Sequence, residues 1–487
     1  MKRLKASRYN EWIPVPELSE FLLYNTVSGG IEIFNEESGR LFSTIANGES
    51  FSETDYPEQA DIIRYLFERD FIVEADLDEQ QRLSGKYEAK KQVLYDRESS
   101  AIGLTIGTTI TCNMGCPYCF EFVKPNKTLK DEQIMDQIAA YIQDMIDRAP
   151  VRRWTSMKVT WYGGEPLINS KAIEKLTPLL LKICERYDIA YSSNIITNGL
   201  LLSKEIWQLL LNNKVTSAQV TIDGPMAVHE KKRPIKSSGK EKNYWRILEN
   251  LCFLPEGIEV LVRMNVDKLV AAGFDELLDD FQKIGLWPQR YRSIQFAPAW
   301  LRYYEETQLL DKDSQYLTNE AFFDEMQRFK KIKLDRFNRW ARGNDVKEAK
   351  LKWVMPSLQD ECATWVSPYN IVIDPEGYIH KCWETIHDAG GKVGHVSEGF
   401  EIGKFSQFMD YDRYGLNPIC SACKYLPVCD KLSCSHEAIK TTKPPCTYWK
   451  ERTTGMLKEQ YIAWKNNPDS IVLPENITHT NSGHSNK

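Results

Sequence analysis

The chain has 487 residues, 42% of them hydrophobic and 27% charged, with a formal net charge of -6. This length predicts two or three folded domains, and the charge gives no general attraction to nucleic acid or to anionic membranes. No run of about 18 uninterrupted apolar residues could span a bilayer, and the start "MKRLKASRYNEW" lacks an apolar run behind its basic residues. Twelve clustered cysteines without an export signal suit metal ligation in a reducing compartment, so a cytoplasmic location is expected.

Residues 1–95 have the pattern of a small separate unit. Two short alternating strands, "EFLLYNT" and "GIEIFN", precede helical patterns around residues 41–46 and 62–67. The segment "RDFIV" then has the pattern of a closing strand. The predicted order is two strands, helices and a strand.

From residue 96 to residue 324 the pattern is one of strands that alternate with amphipathic helices. The predicted helix at 131–147 has an apolar face formed by Ile134, Ile138, Tyr141, Ile142 and Met145. Six strands are predicted, at 102–107, 158–162, 191–197, 217–222, 259–266 and 292–297. Such strand-helix units predict an α/β fold, with a parallel sheet that closes fully or partly into a barrel. Chemistry in such barrels lies where the carboxyl ends of the strands meet their loops.

The remainder of the chain divides into three predicted segments. Residues 325–353 are basic and helical in pattern, and they are expected to form a bridging helix with a solvated charged face. Residues 354–450 hold seven of the cysteines and few long periodic runs, as expected where metal replaces a hydrophobic core. Residues 451–487 are expected to form a helix and a polar, disordered tail.

Three cysteines follow the first predicted barrel strand in the pattern C-x₃-C-x₂-C. They are Cys112, Cys116 and Cys119. A four-iron cluster takes four ligands, so three thiolates leave one iron open to a ligand that is not part of the protein. A structural zinc site prefers four protein ligands, and the loop offers no fourth, although a zinc or redox loop remains an alternative.

This motif resembles the radical S-adenosylmethionine (radical SAM) enzymes, in which an aromatic residue, here Tyr118, precedes the last cysteine. The resemblance implies that the open iron chelates SAM, and that one electron cleaves SAM to methionine and a 5′-deoxyadenosyl radical. The segment "YGGEP" resembles the family's GGEP segment, which implies that Gly163, Gly164 and Glu165 hold the ammonium group of SAM. Glycines permit close approach of the backbone, and a carboxylate pairs with a cation.

Two further strand ends resemble cofactor-contacting segments of the same family. "ITNG" would place Thr197 and Asn198 near SAM, and "VTIDGP" would place Thr221 and Asp223 there. An equal alternative is that these residues only form turns, because Asn-Gly and Asp-Gly-Pro form turns in many proteins.

The late cysteines run C-x₁₄-G-x₄-C, then C-x₂-C-x₅-C-x₄-C, then a final cysteine, which resembles the SPASM domain of radical SAM enzymes. The resemblance implies two auxiliary 4Fe–4S clusters. The outer cluster would be held by Cys420, Cys423, Cys429 and Cys446, and the inner one by Cys362, Cys382 and Cys434. One residue more than usual precedes Cys434, and the inner cluster lacks an assigned fourth ligand. Zinc ribbons are the alternative. Cys184 and Cys252, in helical patterns with apolar neighbours, are expected to be core residues.

SPASM enzymes mostly modify peptides, so the resemblance implies a polypeptide substrate. Residues 1–95 resemble a degenerate winged-helix unit that binds the leader of a precursor peptide, although a unit that only caps the barrel is an alternative. We expect a maturase of ribosomally made peptides that forms a thioether crosslink. An anaerobic sulfatase maturase is the main alternative, but Trp383 and Glu384 follow Cys382 where that family has an aspartate. A non-catalytic iron–sulfur scaffold is the third hypothesis.

The expected cofactors are therefore SAM and three 4Fe–4S clusters, one that binds SAM and two that are auxiliary. The expected partners are a precursor peptide with its leader and an electron donor such as ferredoxin or flavodoxin, with neither nucleic acid nor a membrane among them.

Overall fold

A computed structural model describes residues 3–48, 50–94, 98–121, 125–236, 242–302, 315–409, 411–414, 418–434, 446–474 and 477–479. The chain forms two compact units, each assembled from separate segments. Unit 1 comprises residues 1–90, 347–362 and 412–487, and unit 2 comprises residues 91–346 and 363–411. Residues 354–450, predicted as one SPASM domain, are thus divided between the two units.

Unit 1 is built on small sheets. Its strands are β1 (Arg3–Ala6), β2 (Asn10–Val15), β3 (Glu20–Asn25), β4 (Ile31–Asn35), β5 (Phe51–Ser52), β6 (Ile72–Glu74), β13 (Leu351–Lys352), β18 (Ile471–Val472) and β19 (Ile477–His479). One sheet has the antiparallel order β5-β1-β6, one has the order β19-β4-β3-β2, and β13 pairs with β18. The helices of this unit are α1 (Glu36–Asn47), α2 (Ala60–Glu68), α3 (Glu79–Leu94), α14 (Pro418–Ser421) and α15 (Trp449–Asn466).

The predicted order of elements within residues 1–95 agrees with this structure, with β3 and β4 followed by α1, α2 and β6. The α1 helix begins where the Asn35 side chain accepts a hydrogen bond from the Ser38 N–H, which is common helix capping chemistry. The winged-helix assignment of this unit stays a prediction. The end of the predicted disordered tail, residues 480–487, lies outside the described residues.

Unit 2 is dominated by a ten-stranded sheet. Its strands are β7 (Ser99–Thr109), β8 (Arg153–Gly163), β9 (Ala190–Thr197), β10 (Val215–Thr221), β11 (Glu259–Val266), β12 (Ile294–Trp300), β14 (Asn370–Ile373), β15 (Tyr378–His380), β16 (Lys392–His395) and β17 (Gly399–Phe400). They lie in the order β12-β11-β10-β9-β8-β7-β14-β15-β16-β17. Strands β7 to β12 are mutually parallel. This confirms the α/β fold with a partial barrel of six parallel strands.

Helices connect the parallel strands and cover the sheet. They are α4 (Glu132–Arg148), α5 (Ser170–Arg186), α6 (Lys204–Asn212), α7 (Met226–Lys232), α8 (Tyr244–Cys252), α9 (Lys268–Ala272), α10 (Phe274–Lys283), α11 (Asn319–Arg342), α12 (Ala363–Val366) and α13 (Ile402–Met409). Among the described residues, no helix combines the length and the apolar composition that crossing a bilayer requires.

The predicted cores of two helices differ in detail from the observed ones. In α4 the buried residues are Met135, Ile138, Ile142 and Ile146. The buried face therefore shares Ile138 and Ile142 with the predicted face but is rotated about the helix axis relative to it. In α5 Cys184 is buried as expected. The prediction for Cys252 was wrong, because this residue ends α8 and its side chain is exposed.

The sheet of unit 2 also includes strands from beyond the barrel segment. β14 adds to β7 in parallel, with Ile371 opposite Leu104, and β15 to β17 continue the sheet as antiparallel hairpins. At this seam a Cβ on Gly103 would lie 1.9 Å from the Asn370 Oδ1. The first part of the predicted SPASM segment is therefore built onto the barrel sheet itself.

Candidate functional site

The cysteine loop leaves the carboxyl end of β7 and is held in place by backbone hydrogen bonds. The Gly115 N–H donates to the Pro234 carbonyl over 2.8 Å, and the Lys236 N–H donates to the Asn113 carbonyl over 2.9 Å. Cys112 is buried, while Cys116 and Cys119 are half-buried. The loop thus presents its thiols from a fixed backbone at the edge where chemistry was predicted.

At positions 163 and 164 there is no room for a side chain, because the backbone at the end of β8 lies close to the chain that leaves β7. A Cβ on Gly163, whose φ is +128°, would lie 2.0 Å from the Thr109 carbonyl oxygen. A Cβ on Gly164 would lie 2.3 Å from the Ile110 carbonyl oxygen. Both contacts are with the chain that leads into the cysteine loop, so in this structure the glycines serve the seam between β7 and β8.

Glu165 is fully buried, and its carboxylate connects the ends of β8 and β9. It accepts hydrogen bonds from the Thr197 hydroxyl and the Asn198 N–H, both over 2.7 Å, and from the Leu167 N–H over 3.1 Å. Burial raises the pKa of Glu165, and these hydrogen bonds oppose the rise. The Asn198 amide in turn donates to the Asn113 side chain over 2.7 Å, within the cysteine loop.

Asp223, beyond the end of β10, forms a second, partly buried network with Tyr118. The Tyr118 hydroxyl donates to the Asp223 carboxylate, which also accepts the Asn265 N–H over 2.7 Å. Arg233 donates to the Tyr118 hydroxyl over 2.6 Å and lies 3.8 Å from the Asp223 carboxylate. Thr221, the last residue of β10, is also buried, two residues before Asp223.

Arg233 is the site residue that the sequence reasoning missed. Burial lowers the pKa of Arg233, but the Cys116 thiol, the Tyr118 phenol and the Asp223 carboxylate raise it by more than this. The net pKa is therefore well above its usual value, and the guanidinium stays charged. The sequence did contain an indication of this role, because His229 and Arg233 are four residues apart at α7 and therefore lie on the same face of the helix. Lys232 is also buried, pairs with Asp267 over 2.5 Å, and has its ammonium 5.3 Å from the centre of the Tyr118 ring.

His229 supports the Asp223 turn in its neutral form. Its Nδ1 accepts the Asp223 N–H over 3.2 Å, and its Nε2 lies 2.8 Å from the Asn243 Oδ1. Complete burial lowers the pKa of His229 to about 4, and the positive charge of Arg233 adds to this effect. The imidazole is therefore a positioning group and carries no charge near neutral pH.

We expect the stability of the protein to depend on pH through His229. The unfolded chain takes up a proton near pH 6.5 and the folded chain only near about 4, so the free energy of unfolding falls between these values by about 3 kcal/mol. Urea unfolding at several pH values would measure this fall. His229→Gln keeps a hydrogen-bond acceptor and should lack this part of the pH dependence, and parallel loss of stability in both proteins would contradict the prediction.

Cys382 follows β15 and lies on the same unit as the cysteine triplet. Tyr162, just before the Gly-Gly turn, has a pKa raised by burial, with Glu121, Cys119, Glu384 and Cys382 as further negative neighbours. Trp383 stacks on the Tyr162 ring with centroids 5.8 Å apart. Glu384, the second residue after Cys382, pairs with Arg302 over 3.2 Å.

The cysteines predicted to bind the outer cluster all belong to unit 1. Burial raises the pKa of Cys420, and the neighbouring Cys423 and Cys446 thiols add to this effect. Burial also raises the pKa of Cys429, opposed by hydrogen bonds from the Leu432 and Lys431 N–H groups. Backbone donors of this kind stabilise thiolate ligands.

The three cysteines predicted for the inner cluster are divided between the units, with Cys362 and Cys434 in unit 1 and Cys382 in unit 2. In unit 1 the Cys362 N–H donates to the Ser433 carbonyl over 3.1 Å, beside Cys434. Within the described ranges, no three His, Cys, Asp or Glu side chains converge tightly enough to hold a single metal ion. In a four-iron cluster each thiolate binds a different iron atom, so the ligands of a cluster lie farther apart than those of a single metal ion.

The profile of the radical SAM superfamily matches residues 106–283, which run from β7 to α10 and include the cysteine triplet, Glu165 and Asp223. Residues 106–283 of the chain thus carry a radical SAM domain. The chain is 27% identical over 253 residues to the radical SAM cyclopropyl synthase TigE of Paramaledivibacter caminithermalis. This alignment covers 47% of the present chain and only half of the length of TigE.

Solved structures show the same fold at low sequence identity. Histidine-tagged anSMEcpe with bound AdoMet aligns over 76% of this chain and 100% of its own, with 17% identity and a TM-score of 0.52. Native anSMEcpe with bound AdoMet and the Cp18Cys peptide aligns over 76% of this chain and 99% of its own, with 16% identity and a TM-score of 0.51.

Proposed function

We propose that this chain is a radical SAM peptide maturase, which cleaves SAM reductively and modifies a ribosomally made precursor peptide. The observation that carries the proposal is the meeting of three features at one edge of the sheet of unit 2. These are the loop with its three thiols, the buried Glu165 carboxylate, and the partly buried network of Tyr118, Asp223 and Arg233.

The thiols of Cys112, Cys116 and Cys119 would hold a 4Fe–4S cluster, since thiolates are the usual ligands of such clusters and the loop backbone is already fixed. When bound, this cluster supplies the electron that cleaves SAM to methionine and a 5′-deoxyadenosyl radical, which takes a hydrogen atom from the substrate. The three thiols need not converge on one point, because each cysteine meets a separate iron.

The residues of the protein position SAM and exclude water in this proposal. Glu165 is held by three hydrogen bonds in one orientation and offers its remaining lone pairs to the ammonium group. The Asn113–Asn198 hydrogen bond fixes the cysteine loop relative to the β9 end. Tyr118, Arg233 and Asp223 stabilise the backbone around the last two cysteines.

Several observations support a peptide as the substrate. The fold is shared with anSMEcpe, which has been solved with the Cp18Cys peptide bound. Unit 1 has small sheets with edge strands, and an extended leader can add to such an edge. Recognition of a leader by residues 1–95 is accordingly part of the proposal, as are two auxiliary clusters on the seven late cysteines.

The bond formed in the peptide has two candidates. A thioether between a cysteine sulfur and a carbon is the first, from the likeness to SPASM maturases. Closure of a carbon ring is the second, and the name of the relative TigE favours it. Either closure removes two hydrogens from the peptide: one hydrogen atom passes to 5′-deoxyadenosine, and the other leaves as a proton while its electron returns to the iron–sulfur centres.

The proposal is tested by anaerobic co-expression with small open reading frames that neighbour the gene, followed by mass spectrometry of each peptide. The expected result is the loss of two hydrogens from one peptide, together with 5′-deoxyadenosine in the purified reaction. Alkylation with iodoacetamide separates the candidates, because a thioether consumes a free thiol and a carbon ring does not. If the reduced, iron-loaded protein forms no 5′-deoxyadenosine from SAM in any preparation, the proposal is overturned.

A further inference from the structure

Arg413, in unit 1, is a fully buried guanidinium whose donors are almost all bound to neutral acceptors. Its Nη1 donates to the Tyr87 hydroxyl over 2.5 Å and to the Gln359 carbonyl over 2.7 Å. Its Nη2 donates to the carbonyls of Leu426 and Cys429 over 3.0 Å and 2.9 Å. The fifth donor, Nε, is buried without a hydrogen-bond partner in the described part of the chain.

The contacts that Arg413 makes among the described residues include no carboxylate. The rings of Tyr87 and Tyr414 lie 4.8 Å and 6.0 Å from the guanidinium carbon and provide some stabilisation. A buried charge is costly unless it is paired and hydrogen-bonded. The arrangement therefore calls for a negative group beside this side chain.

The predicted ligands of the outer cluster would supply such a negative charge. Arg413 donates a hydrogen bond to the carbonyl of Cys429 itself. Cys423 and Cys429 flank the short turn that contains Leu426, the other carbonyl partner on Nη2. A 4Fe–4S core bound by four thiolates carries a net negative charge, which suits a buried cation.

We propose that Arg413 is the buried counter-cation of an auxiliary cluster held by Cys420, Cys423, Cys429 and Cys446, and that its charge raises the reduction potential of that cluster. This inference rests on the auxiliary clusters of the proposed function. Reduction adds one negative charge to the cluster, so a fixed positive charge stabilises the reduced form more than the oxidised form. The low dielectric around a fully buried group strengthens this effect.

The test compares Arg413→Lys with Arg413→Gln in a protein that already carries Cys112→Ala, Cys116→Ala and Cys119→Ala. Both substitutions lose the guanidinium fork, but only Lys keeps the charge. Potentiometric titration with dithionite, followed by electron paramagnetic resonance, gives the midpoint potential of each remaining cluster. We expect Arg413→Gln to shift one midpoint to a more negative value and Arg413→Lys to leave it near its original value. Arg64→Gln, which removes an exposed positive charge in the same unit, should shift neither midpoint.

The other outcomes for the two Arg413 variants also distinguish an effect of the charge from an effect of the hydrogen bonds. Loss of one cluster in Arg413→Gln with retention in Arg413→Lys would support the inference, since the charge alone separates the two variants. Equal shifts or equal loss of iron in both variants would overturn it, because the fork of hydrogen bonds would then be the essential feature. Iron and sulfide are first counted on the unaltered protein, and a count of one cluster there would refute the auxiliary clusters themselves rather than the role of Arg413.

Discussion

Replacing Cys112, Cys116 and Cys119 together by alanine should remove one cluster's worth of iron and sulfide and abolish formation of 5′-deoxyadenosine. The reason is that three thiolates from one fixed loop would supply every protein ligand of the SAM-binding cluster. Iron analysis and chromatographic detection of 5′-deoxyadenosine after anaerobic reduction measure the two effects. The loss of activity is expected to be complete, at least about a thousandfold.

The matched control for this variant is Cys184→Ala with Cys252→Ala. Cys184 is buried in α5 and Cys252 is exposed at the end of α8, and neither lies in a cysteine cluster of the sequence. The control should keep its iron and its SAM cleavage. Cleavage of SAM by the triple variant would show that another group of cysteines holds the catalytic cluster.

Asp223→Ala should destabilise the protein by about 3–5 kcal/mol, because it leaves the buried Arg233 guanidinium without its carboxylate partner. It also removes the acceptor of the Tyr118 hydroxyl and of the Asn265 N–H. Urea unfolding of the iron-free protein would measure the change without any contribution from a bound cluster.

Asp279→Ala is the comparison for Asp223→Ala. Asp279 pairs with Arg336 on the surface, with its side chain 65% exposed, and such pairs contribute up to about 1 kcal/mol. The exposed substitution should therefore have a small effect. Similar losses of stability in the two variants would mean that the Asp223 network contributes no more than a surface pair does.

The strands and the cysteine loop could be predicted from the sequence because each has a local signature. The period of apolar residues indicated the six parallel strands, and the spacing of Cys112, Cys116 and Cys119 predicted the loop. The face of α4 was less predictable, since apolar residues occur on two neighbouring stripes and packing on the sheet selects Met135 to Ile146.

The buried and partly buried networks could not be predicted, because they depend on how distant strand ends align. Asn113, Asn198 and Glu165 come from three different loops, and only the parallel pairing of β7, β8 and β9 brings them together. Arg233 likewise contacts Tyr118 across 115 positions in the chain. The motif predicts a role at the cofactor for Gly163 and Gly164, which stays a prediction, and it did not indicate their tight contacts with the chain at the end of β7.

The parallel pairing of β14 with β7 has a consequence for electron tunnelling. β7 leads into the loop of Cys112, and the hairpin of β14 and β15 leads into Cys382. Cys382, the ligand that the inner centre would take from this sheet, therefore keeps a nearly constant separation from the loop of Cys112 as the molecule fluctuates. If the inner centre and the SAM-binding centre both form, single-molecule or freeze-quench kinetics should find a narrow spread of transfer rates between them.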